Sequence, residues 1–355
     1  MNLKIGCVGY LTIYETSEIL HDYRENVVLI QNKISPVKIF DCKFAKGILF
    51  QKSYMTSHHV MLAHELDIPF MIIEKLDYKI GDTISFTMLH NKIHSSDTIK
   101  EQFSLEVDIP SKIENKDVRY TASLPYYQRI LREDQKKMIC GEYFLSQITN
   151  NLGHCKNNLL DTCICFAESN HYNAKHSCYR ISTPGDELEN EFGLTHEEME
   201  IIEVKFAIKM GFDIIFPLIN DSSEYSKKIS LCNKLGHKGK RGVMVEIPSL
   251  IQDFKNMKNV EFIYIGMGDL ATRYFNVQRY EIDYLNEEQQ CELNSYVKKF
   301  IESLRHSGIY ITLPFILNPE HRREFSELRV DEFGVFSLKQ FLIDTYTNRS
   351  VSKNA

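Results

Sequence analysis

The alternation of short apolar runs with stretches of helical period after residue 117 constrains this chain more than any other feature. The apolar runs lie near Val118, Cys165, Tyr179, Ile214, Val243, Ile263, Tyr310 and Val335. The helical stretches are Pro125–Asn151, Thr195–Met210, Ser222–Leu235, Leu250–Lys255, Asn286–His306 and Leu338–Thr347. Strands alternating with helices favour a parallel α/β architecture, and eight strands predict a (β/α)8 barrel of the TIM type. About a dozen residues separate the Cys165 and Tyr179 runs, short for a crossover helix with two loops, so the barrel is expected to be irregular there.

Residues 1–105 read as a separate β/α domain, with strand-like runs at Lys4–Tyr10, Val27–Gln31, Ile48–Phe50, Phe70–Ile73 and Thr83–Phe86. Residues 106–117 are polar, contain Pro110 and form the expected linker to a barrel over 118–355. Within the first domain, Thr56-Ser57-His58-His59 runs into Val60-Met61-Leu62-Ala63-His64-Glu65-Leu66, with Pro69 beyond. A hydroxyl at Thr56 or Ser57 caps a helix whose buried side is Val60–Leu62, Ala63 and Leu66. His58 then falls in the first turn, where unpaired N–H groups and the helix dipole welcome an anion and disfavour an imidazolium. A neutral imidazole there can attack phosphorus, although a histidine at a helix start is ordinarily just a polar residue.

Composition narrows the partners. A net charge of −6 argues against nucleic acid or an anionic membrane surface, and no apolar run is long enough to span a bilayer. The start, Met1-Asn2-Leu3-Lys4-Ile5-Gly6, has no signal-peptide layout, and the nine cysteines are odd in number and scattered without a framework spacing, so they read as reduced thiols of a cytoplasmic protein. His154, Cys155, Cys163, Cys165, His171, His176 and Cys178 crowd one region, but without the spacing of a structural zinc site. Cys163 and Cys165 are two apart on a strand-like run and so share a face, most simply a packed one.

Two apolar runs end in carboxylates: Gly242-Val-Met-Val-Glu246-Ile-Pro248-Ser249 and Phe262-Ile-Tyr-Ile-Gly266-Met-Gly268-Asp269. At the C-terminal face of a barrel such a pair suits Mg2+, which takes few protein ligands and fills the rest from substrate and water. The alternative is that Glu246 and Asp269 cap the helices that follow.

The His58 segment resembles the swivelling phosphohistidine domain of the PEP-utilising enzymes, the family of pyruvate phosphate dikinase, PEP synthase and enzyme I of the sugar phosphotransferase system. Thr56-Ser57-His58, Ala63, Glu65-Leu66 and Ile68-Pro69 match its pattern, while Lys52-Ser53-Tyr54-Met55 stand where its glycines would be. The resemblance implies that His58 is phosphorylated. It also implies that Glu246 and Asp269 bind the metal, and that Arg119, Arg180 and Arg279 bind the phosphorylated substrate. Leu328–Ser337 is similar to the family's last barrel strand, so the likeness runs from about residue 25 to 345.

The chain departs from the family at three places. Ile311-Thr-Leu-Pro314-Phe315 stands where a C-G-E segment, whose cysteine protonates the enolate carbon of PEP, is expected. Gly268 replaces the asparagine before the aspartate, and Pro184-Gly-Asp-Glu-Leu-Glu-Asn-Glu191 replaces an N-P-x-x-G-x-R-G loop. Pyruvate formation from PEP is therefore expected to be slow, whereas transfer to oxygen or nitrogen needs no carbon protonation. The 355 residues leave no room for an ATP-grasp domain, so a separate nucleotide-binding kinase subunit is the expected second station. A homodimer is compatible with this reading. The competing expectation is a catalytically decayed homologue acting as a regulatory or binding subunit.

Overall fold

The computed structural model describes residues 7–12, 26–30, 39–40, 42, 45, 47–51, 58–66, 68, 70–73, 83–87, 92–95, 118–131, 133–152, 158–183, 188–278, 285–314, 325, 328 and 330–335. They fall into two compact units, one within Met1–Ser111 and one within Lys112–Phe336.

The first unit holds a six-stranded sheet of β1 (Cys7–Thr12), β2 (Asn26–Ile30), β3 (Gly47–Gln51), β4 (Phe70–Ile73), β5 (Thr83–Thr87) and β6 (Lys92–Ser95). Its order is β4-β3-β2-β1-β5-β6. The first four strands run parallel, and β5 and β6 are antiparallel additions. Helix α1 (His58–Glu65) connects β3 to β4. Val60, Leu62 and Ala63 are fully buried on it. His59 packs against Phe50 at 5.3 Å and His64 against Phe70 at 5.8 Å between ring centres. The two histidines flanking the apolar stretch are therefore packing residues.

The second unit is a closed barrel of eight parallel strands: β7 (Val118–Thr121), β8 (Lys136–Cys140), β9 (Ser177–Arg180), β10 (Asp213–Phe216), β11 (Arg241–Val245), β12 (Phe262–Ile265), β13 (Tyr310–Pro314) and β14 (Glu332–Val335). Thr195 opens helix Glu-rich segment His196–Met210 with a reciprocal capping box to Glu198, and Gly211 closes it at a left-handed φ of 76°. Asn286 and Gln289 cap Glu287–Ser303 in the same way. Ser222–Leu235 forms as its pattern predicts.

The predicted strand at Cys165 and the predicted helix Pro125–Asn151 are both corrected. Residues Leu159–Ser169 are a helix. The 125–151 stretch breaks into a short helix Pro125–Ile130, strand β8 and helix Gly141–Leu152. The second barrel strand thus lies before the position assigned to it, and the crowded crossover disappears. Cys163 and Cys165 consequently lie on different faces, one buried and one exposed, because two residues rotate an α-helix by about 200°. Among the described residues no helix is long and apolar enough to cross a membrane. The linker 106–117, the predicted helix 338–347 and the cap residues Thr56 and Ser57 lie outside the described residues.

Candidate active site at the C-terminal mouth of the barrel

Register decides which charged residues can meet. Arg180 ends β9 and pairs with Cys140, the last residue of β8. Arg119 pairs with Lys136, the first residue of β8. At about 3.3 Å per residue the two arginines sit roughly 13 Å apart along the barrel. Arg180 is at the C-terminal mouth; Arg119 is at the opposite end.

Arg180 is buried, and its Nη2 donates to Glu142 Oε1 in an ion pair whose other side chain is also buried. Its Nη1 lies 3.8 Å from Met244 Sδ, on the strand that ends in Glu246. Glu246 follows β11 directly and is buried. Its Oε2 accepts the Leu218 N–H at 3.0 Å. Leu218 holds a left-handed φ of 51°, a conformation that costs a non-glycine residue about 1–2 kcal/mol and tends to persist where function needs it. Gly266, after the neighbouring strand β12, makes room for the Glu246 side chain: a Cβ there would lie 2.5 Å from Glu246 Cγ.

Asp269 is half-buried in the first turn of helix Met267–Phe275. The cap position of that helix is Gly266, and that of Pro248–Asp253 is Ile247, so neither Asp269 nor Glu246 is an N-cap. Strands β11 and β12 are paired through Val245 and Ile265, which puts the two carboxylate-bearing segments side by side at the mouth. Two hard oxygen donors on adjacent strand ends, with a glycine between them where a side chain would intrude, suit Mg2+. Among the described residues no group of three or more metal-ligating side chains occurs.

Arg119 is corrected. Its Nε meets Glu332 Oε1 at 2.5 Å, and its Nη1 donates to the Lys137 carbonyl at 3.2 Å. Lys136 Nζ lies 3.0 Å from Glu332 Oε2, which also accepts the Tyr310 hydroxyl at 2.9 Å, while Thr312 donates to Oε1 at 2.6 Å. This is a closed ion-pair network in the barrel floor, and it does not share the mouth with Glu246. Burial pushes the Glu332 carboxyl up, but Arg119, Thr312 and Lys136 outweigh that and hold it below the ordinary range. Tyr264 fills the barrel between the two ends, against Gly334.

Arg279 and the segment 184–187 lie outside the described residues, as does the His58 side chain, although His58 itself is the first residue of α1. Two carboxylates close to Arg180 went unrecognised in the sequence. Glu142 comes one glycine after Met138-Ile139-Cys140, where Glu246 directly follows Val243-Met244-Val245, a signal hidden because Lys136–Cys140 reads as helix. Glu203 comes from helix His196–Met210 behind Arg180, accepting from Tyr179 Oη at 2.9 Å, Ser182 Oγ at 2.8 Å and Ser182 N–H at 3.0 Å. Burial pushes its carboxyl up to about 7, against those hydrogen bonds.

No protein-family profile matches the chain. It is 22% identical over 366 aligned positions to a phosphoenolpyruvate-protein phosphotransferase of Mycoplasma genitalium, an alignment covering 87% of this chain. The chain spans 64% of that relative's length. Among solved structures it is similar to an HpcH/HpaI aldolase/citrate lyase family protein from Burkholderia cenocepacia, with 10% identity, 66% of this chain and 93% of the other covered, and a TM-score of 0.43. Protein CitE from Mycobacterium tuberculosis, crystallised with magnesium and acetate, gives 8% identity, coverages of 64% and 87%, and a TM-score of 0.41.

Proposed function

We propose that this chain is a phosphotransferase of the PEP-utilising type. His58 carries the phosphoryl group between a small phosphorylated substrate at the barrel mouth and a second station on a separate nucleotide-binding subunit. The observation that carries the reading is the convergence of Arg180, Glu246 and Asp269 on one end of the barrel, while Arg119 is withdrawn to the other. Support comes also from the similarity to a phosphoenolpyruvate-protein phosphotransferase along most of the chain.

Charge explains why these groups belong together. Arg180 is paired with Glu142, and Glu246 and Asp269 stand on neighbouring segments at the same end of the barrel. Mg2+ held by Glu246 and Asp269 would bring positive charge to the phosphate and supply Lewis-acid polarisation of a phosphoryl oxygen. Arg180 binds and orients the phosphate, its planar fork matching two phosphate oxygens. Leu218, through its N–H, and Gly266, through its missing side chain, hold Glu246 in place. His58 at the start of α1 supplies the nucleophilic nitrogen, and the helix end neutralises the phosphate it receives. Catalysis is then positioning and charge neutralisation, as for phosphoryl transfer in general.

Incubation with PEP labelled in the phosphoryl group, with Mg2+, tests this. The expected product is a protein label that is labile in acid, stable in alkali, and absent from His58→Ala. A label that survives His58→Ala, or none at all, sinks the reading. The second reading, a binding subunit without turnover, is favoured by Ile311-Thr-Leu-Pro314 in place of the cysteine-bearing segment. PEP bound without any label on the protein would establish it.

A further inference from the structure

The group that touches Arg180, Glu142, has no role of its own in the reading above, and its placement is specific. Glu142 is the second residue of helix Gly141–Leu152, two residues beyond the end of β8, and is fully buried. Arg180 ends the neighbouring strand at the level of Cys140, so the carboxylate sits just past the guanidinium on the mouth side. The helix can start this close because residue 141 is glycine: a Cβ there would lie 2.8 Å from both the Arg180 carbonyl and Ser182 Oγ. Behind Arg180, Glu203 binds Tyr179, just before it, through its hydroxyl and Ser182, two residues after it, through its N–H and hydroxyl. The backbone at Arg180 is thus fixed from one helix, and the guanidinium from another.

We propose that Glu142 is a positioning residue for the phosphate-binding arginine. It commits the Nη2 edge of Arg180 to itself and so turns the Nη1 edge toward Met244 and the strand that ends in Glu246. A buried guanidinium without a counter-ion would swing toward water or a different acid, because an unpaired charge is costly away from solvent. Glu142 removes that option before substrate arrives. The arginine therefore meets a phosphate already oriented and already desolvated, with no reorganisation left to perform. This inference rests on the phosphotransferase reading for its ligand but not for its geometry.

Two arms keep the two apart. Without ligand, the crystal structure of Glu142→Gln is compared with that of the unchanged chain. The expected result is a guanidinium displaced from its position beside Met244, with β8 and β9 unmoved; a guanidinium that stays put overturns the proposal. Should Glu142→Gln not fold, Glu142→Asp serves. It keeps the charge but shortens the side chain by one carbon, so the guanidinium is expected to follow it away from Met244, and one that stays overturns the proposal. With ligand, calorimetry of the full chain with PEP and Mg2+ reads a double-mutant cycle. Glu142→Gln is expected to weaken binding about tenfold or more, and Arg180→Ala at least as much, the loss expected for one charge-assisted contact. In the Arg180→Ala background Glu142→Gln is expected to change nothing further; with Arg180 present, Glu142→Asp, which keeps the counter-charge, is expected to bind PEP more tightly than Glu142→Gln. Equal losses in both backgrounds would overturn the positioning role. Failure of the unchanged chain to bind PEP would count against the phosphotransferase reading alone, leaving the ligand-free arm to judge Glu142.

Discussion

The two ends of the barrel each bury an arginine beside a glutamate, and they do so for opposite ends. At the floor, Glu332 is met by Arg119, Lys136, Tyr310 and Thr312, so that both of its oxygens are taken. At the mouth, Arg180 is met by Glu142, and Glu246 and Asp269 stand on the neighbouring strand ends. The floor is a closed account between its own groups. At the mouth these two further carboxylates stand on neighbouring segments of the same rim, where a metal ion could be held. A buried ion pair alone thus says little about function; what distinguishes the two is the end of the barrel at which each lies and the groups that share that end.

Breaking the floor should give the largest effect. Glu332→Ala leaves Arg119 and Lys136 without their shared partner and is expected to cost about 3–5 kcal/mol in urea unfolding, with PEP binding per folded molecule unchanged. Loss of binding at full stability would erase the distinction between the ends.

The next effect concerns pH, where the two ends have opposite signs. Glu203, behind the mouth, has its folded value pushed up to about 7 from 4.5, so its contribution to stability is complete below pH 4.5 and is lost as pH rises through 7. Glu332 is held below its ordinary value, so its contribution is present at neutral pH and is lost on acidification. Glu203→Gln should therefore remove on the order of 3 kcal/mol of stability difference between pH 5 and pH 8. Urea midpoints at the two pH values check this; an unchanged slope would show that Glu203 is ionised throughout.

Sharpening the mouth comes third. Glu246→Gln retains an oxygen for the Leu218 N–H but loses the charge. It is expected to lower Mg2+-dependent labelling of His58 about a hundredfold, roughly 2.7 kcal/mol, with little change in melting temperature. The smallest effect is expected between the ends. Gly334→Ala places a methyl group against the Tyr264 ring and should cost about 2 kcal/mol by overpacking, with binding at the mouth intact.

Much of this molecule was legible as pattern. The strands ending in Glu246 and before Asp269, the caps at Thr195 and Asn286, and helix Ser222–Leu235 all follow from local periodicity and local hydrogen bonding. The strand Lys136–Cys140 did not, because its five residues sit between two helical stretches and its two lysines mask an apolar run. Cys163 and Cys165 misled in the reverse sense: Leu159–Ser169 is apolar enough to read as a strand but is a helix with one packed face.

Chain order and residue type settled that strands and helices alternate, that two strands end in acids, and that a histidine opens α1, since those properties depend on neighbours a few residues away. The pairing of Arg119 with Glu332, 213 positions distant, and of Arg180 with Glu142 depends on barrel closure and strand register. A shift of register by a few residues would move an arginine from floor to mouth, and no local interaction records that choice.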